Sequence, residues 1–65
     1  MNKTKNITTK ETFALAVQNH QKNNLKIAEN LYKKILKKDP NHFDAVFLLG
    51  TLSLQTKKLD LAKQL

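Results

Sequence analysis

The chain has 65 residues, with twelve lysines against five acids, a formal net charge of +7 and no cysteine. A chain of this length makes at most one small domain, which buries only about 60% of the surface its unfolded form exposes, so its stability should be marginal. Without cysteine there is neither a disulfide framework nor a thiolate metal site, and the most continuous apolar run, Ala45 to Leu49, is far too short to span a bilayer.

Several function classes recede on composition alone. His20 and His42 are the only histidines, and neither sits in a carboxylate or cysteine cluster, so no metal or other cofactor is expected. The stretch from Met1 to Asn6 is polar and lysine-bearing, with no secretory apolar core after it, which leaves a cytoplasmic location and no membrane as the expectation. The positive balance raises nucleic acid and anionic surfaces as partners. Against that, every basic residue is lysine, and arginine is the residue that clamps phosphate and guanine edges at two points. A solvated, lysine-rich surface is the first reading, and nonspecific binding to nucleic acid or anionic surfaces is the alternative function.

Along the chain, residues 1–8 read as a flexible polar segment. Thr8 with Glu11 three positions on fits a capping box, in which hydroxyl and carboxylate each satisfy a backbone N–H at a helix start. Phe13, Ala16, Val17 and His20 then recur at helical spacing, which predicts a first helix from about Thr9 to Lys22. Asn23 and Asn24 tolerate left-handed backbone and bond locally to their own chain, which suits a tight turn.

The second helix carries the cleanest period. Leu25, Ala28, Leu31, Tyr32, Ile35 and Leu36 form one apolar stripe, with lysines mostly around the other side. Glu29 is placed to pair with Lys33, and the lysines at 33, 34, 37 and 38 complement the helix dipole. Asp39-Pro40-Asn41 stops this helix, and Asn41 is expected to cap the next. A third helix from about His42 to Thr56 is apolar on more than one side, which predicts a middle layer packed on both flanks. Lys57 and Lys58 are expected to mark a further turn, with Leu59, Leu61, Ala62 and Leu65 opening a fourth helix.

A 34-residue period ties these pieces together. Phe13/Phe47, Leu15/Leu49, Gln21/Gln55, Leu25/Leu59, Ala28/Ala62 and Leu31/Leu65 are identical at that offset, and Ala16 is matched by Gly50. From Phe13 to Leu31, six of nineteen positions repeat, where composition alone gives roughly one or two. Self-similarity at this period marks a helical repeat array, in which one helix pair cannot bury its apolar face alone. Gly50 amid strong helix formers is expected to mark a close helix contact.

With Pro40 closing a unit, residues Thr9 to Leu65 resemble the tetratricopeptide repeat family. Leu15 and Ala16 match its large-then-small pair, Ala28 its small residue in the second helix, Tyr32 its aromatic position and Pro40 its terminal proline. Val46, Leu49, Gly50 and Ala62 stand in the corresponding places of a second unit. Departures are Thr12 where tryptophan is frequent, Asn19 and Ser53 for tyrosine, and Ile35 for alanine. The resemblance implies an all-α fold of antiparallel helix-turn-helix repeats, an α-solenoid fragment of about four helices with the last truncated. Its units are a first hairpin at 9–42 and an incomplete repeat at 43–65.

The resemblance also implies a non-catalytic scaffold that binds a protein or peptide partner. Lys10, Phe13, Val17, His20 and Gln21 would line a concave groove beside Asp44, Phe47, Thr51, Leu54 and Gln55. Of these, Phe13, Val17, His20, Phe47, Thr51, Leu54 and Gln55 are the candidate partner-binding residues. The lysine and asparagine clamp by which some family members hold a terminal carboxylate is not supported, because Phe13 and Val17 occupy its positions. No catalytic constellation is present: Gly50 is the only glycine, and Ser53 lies in a predicted helix among leucines. The incomplete second unit is expected to belong to a longer array or to the amino-terminal arm of an enzyme such as a glycosyltransferase, to self-associate, or to fray.

Overall fold

The computed structural model describes residues 8–65, so the expected polar segment at 1–8 lies outside it except for Thr8. Three helices follow in order, α1 (Thr9–Gln21), α2 (Leu25–Lys38) and α3 (Phe43–Gln64). No strand occurs among the described residues.

Local chemistry sets the first boundaries. Thr8 Oγ1 accepts the Glu11 backbone N–H at 3.1 Å, and Glu11 Oε1 accepts the Thr8 N–H at 2.9 Å. The two halves of the capping box are therefore closed. After α1, Asn23 takes a φ of 67°, a left-handed conformation that asparagine adopts more cheaply than most residues with a side chain. The chain reverses there, with the Asn24 N–H donating to the Asn19 carbonyl at 2.8 Å. The Asn24 amide also donates to Asn19 Oδ1 at 3.2 Å, so its side chain braces the turn and caps nothing.

The second turn uses proline. Asp39 leaves the helix with its N–H still on the Ile35 carbonyl at 2.8 Å, and the Asn41 N–H donates to Asp39 Oδ1 at 3.3 Å. The cap of α3 is His42, whose Nδ1 accepts the Ala45 N–H at 3.1 Å, and not Asn41 as the sequence suggested. The Asx bond to Asp39 folds Asn41 into the turn one residue too early to cap.

One small residue from each helix, Ala16, Ala28 and Ala45, is fully buried, and Tyr32, Ile35 and Leu52 fill the space around them. Small side chains at the crossings let helix axes approach, and large ones beside them remove the voids. The middle layer is α2, which packs against α1 and against α3, whereas the sequence pointed to the third helix. One apolar flank of α3 is left open.

No fourth helix occurs among the described residues. α3 runs unbroken through Lys57 and Lys58 for 22 residues, and every residue after Leu52 is exposed. At the same phase of the repeat the first unit has Asn23 and Asn24, one of which supplies the left-handed turn. Lysine is a good helix former with no such tolerance, so the helix continues and the molecule extends to 52 × 23 × 15 Å. Gly50 likewise departs from expectation. A Cβ built on it would meet nothing within 4 Å, because the helix that should fold back over it, carrying Ala62, is the continuation of its own.

Candidate interaction surface

The seven residues singled out for a groove divide into two sets. Phe13 is half-buried against the core, with its ring centroid 6.3 Å from that of Tyr32 and 5.2 Å from that of His42. His20 is half-buried and joins all three helices: Nδ1 lies 3.0 Å from the Tyr32 hydroxyl on α2, and Nε2 lies 2.6 Å from Gln55 Oε1 on α3. With the Gln55 carbonyl oxygen as acceptor, Nε2–H donates to it, and Nδ1 is left to accept the Tyr32 O–H. Phe13 and His20 thus spend their side chains inside the fold, and Gln55, itself exposed, is held by His20. Val17 is half-buried and lines a shallow concavity with Phe13, Ala14, Gln18 and Gln21.

The other set faces water. Phe47 is 72% and Leu54 63% exposed, and Thr51 between them turns its hydroxyl back to the Phe47 carbonyl at 3.1 Å. They continue into residues that the sequence reading passed over, Phe43 at 82% and Leu61 at 57%. At 100° per residue, positions 43, 47, 50, 54, 57 and 61 fall within an arc of about 80°. This outer stripe lies opposite Ala45, Leu48, Leu49 and Leu52, which face α2. Its signal was present in the spacing and was hidden by the expected break at Lys57-Lys58, which put Leu61 on a separate helix.

Lys57 is the one charge on the stripe, and the ion pairs lie elsewhere on the fold. Lys33 Nζ is 3.0 Å and Lys26 Nζ 3.7 Å from the Glu29 carboxylate. The Lys33 hydrogen bond and charge hold Glu29 below its ordinary value, and burial pushes the Tyr32 phenol up. Among the described residues, no group of three His, Asp or Glu side chains gathers as metal ligands would. No helix of the described residues is long and apolar enough to cross a membrane.

Residues 31–64 match the tetratricopeptide repeat family. The matched span begins within α2 and closes with the last residue of α3. No curated protein and no solved structure matches the chain.

Proposed function

The chain belongs to the tetratricopeptide repeat family, and from that premise we propose that it is a non-catalytic protein-interaction module whose contact surface is the outer face of α3. The observation that carries this reading is the exposure of Phe43, Phe47, Leu54 and Leu61 on one helical face. Large apolar residues on a monomer surface are ordinary when scattered and informative when contiguous. Here they run along a single helix, the geometry by which one helix presents anchors to another. Thr51 borders the strip on α3 and Val17 stays in the concavity on α1, while Phe13, His20 and Gln55 support the strip by fixing α1 against α3.

Display selection of peptides on the immobilised chain tests this. Enriched peptides should be apolar or amphipathic, and Phe47→Lys should abolish their binding while leaving helix content unchanged. Peptides that bind the variant as well as the parent would refute the assignment. A nucleic-acid probe should show only weak binding that collapses with salt, and tight binding at physiological salt that depends on Lys33, Lys34, Lys37 and Lys38 would favour the lysine-driven alternative.

A further inference from the structure

We propose that the outer face of α3 pairs with the same face of a second copy of this chain, antiparallel, about a two-fold axis that passes through the seam midway between Gly50 and Leu54. The inference rests on the reading of that face as an interaction surface and names its partner.

Spacing is the first support. Positions 43, 47, 50, 54, 57 and 61 are separated by four, three, four, three and four residues, the seam of a two-helix coil. In an antiparallel pair each such position meets one whose number brings the sum to a constant. A sum of 104 engages all six, setting Phe43 against the partner's Leu61, Phe47 against the partner's Lys57, and Gly50 against the partner's Leu54. By symmetry each contact occurs twice, as an isologous interface requires.

Size complementarity is the second. Glycine inside a helix is less favourable than alanine, and nothing among the described residues repays that at Gly50, since a Cβ there would meet open space. Under the two-fold operation, the hole at Gly50 receives the exposed Leu54 of the other copy. The same operation lays the partner's Lys57 over the exposed ring of Phe47, so the one charge in the seam meets an aromatic face. Ala45, Leu48, Leu49 and Leu52 stay on α2, so pairing needs no rearrangement of the hairpin.

Charge sets the salt dependence. Each chain carries +7, so two copies repel and added salt should strengthen pairing several-fold, the reverse of a polyanion binder.

Sedimentation equilibrium of the full chain should give twice the single-chain mass as concentration rises, and Leu54→Lys should return it to one chain with its circular dichroism intact. Gly50→Leu should also give single chains while raising the thermal midpoint of the dilute chain. A residue that matters only to the fold could not move the two readouts in opposite senses. Because the chain has no cysteine, a Phe43→Cys, Leu61→Cys double variant can be oxidised and the joined positions mapped. Linkage of 43 to 61 between chains supports the register, and linkage of 43 to 43 overturns it. A wild type that stays single into the millimolar range overturns the pairing. If selected peptides then still require Phe47, the interaction reading survives alone, and if none do, both are lost.

Discussion

His20 Nε2 lies 2.6 Å from Gln55 Oε1, a contact between residues 35 positions apart that ties α1 to α3 directly. The same ring reaches the hydroxyl of Tyr32, whose side chain is wholly buried. The imidazole therefore satisfies a buried donor on one side and an exposed acceptor on the other.

The two ends of that bridge should differ in cost. His20→Ala leaves the Tyr32 hydroxyl buried without a partner and should destabilise by about 1–3 kcal/mol. Gln55→Ala removes an exposed partner and should cost roughly 0.5–1.5 kcal/mol at most. Adding Tyr32→Phe to His20→Ala should recover part of the loss, since removing both partners is milder than removing one. Urea denaturation of the three variants against wild type reads these costs, and a double variant no better than His20→Ala would contradict the bridge.

Equivalent alanines should respond differently to the same change. Ala28→Leu inserts bulk into a filled crossing and should cost about 1–3 kcal/mol. Ala62→Leu, at the repeat-equivalent but exposed position, should stay within about 0.5 kcal/mol of wild type. Matching losses at both positions would mean that α3 folds back as a second hairpin.

Gly50→Ala should stabilise the dilute chain by about 0.8–1.0 kcal/mol, the ordinary helix preference of alanine over glycine, since its methyl meets nothing within 4 Å. A destabilised variant in thermal melts would show that a neighbour occupies that space.

Two pH limits follow from burial and pairing. Tyr32 titrates above its ordinary value of 10.0 because burial disfavours the phenolate. Its stabilising contribution is complete below pH 10.0 and is lost as pH rises through the folded value, so tyrosinate absorbance should appear together with loss of helical dichroism. Glu29 titrates below its ordinary 4.5 through the Lys33 hydrogen bond and charge. Its contribution is present above 4.5 and lost as pH falls through the folded value. Lys33→Ala should reduce the acid sensitivity and leave the alkaline limit where it is, and an alkaline limit that moved with Lys33 would reject the assignment to Tyr32.

The sequence by itself determined the elements whose signals are local. Thr8 with Glu11, Asn23 with Asn24, and Asp39-Pro40 each carry their own backbone chemistry within a few residues, so α1, α2 and both turns were legible. So were Ala16 and Ala28, as the small residues of a close crossing. Only the tertiary structure decided which copy of the repeat became a hairpin. Sequence identity at an offset of 34 made Lys57-Lys58 look like a second turn, yet lysine takes left-handed backbone at a higher cost than the asparagine that does so at Asn23. That one difference turns Leu61 from a residue of a fourth helix into the end of an exposed stripe with Phe43, Phe47 and Leu54. It also opens the space beside Gly50. Likewise His20, Gln55 and Phe13 share a helical face with solvent-facing neighbours, and spacing along one helix does not reveal which of them a second helix will claim. Periodicity reports a face, and only the neighbours in space decide whether that face is core or surface.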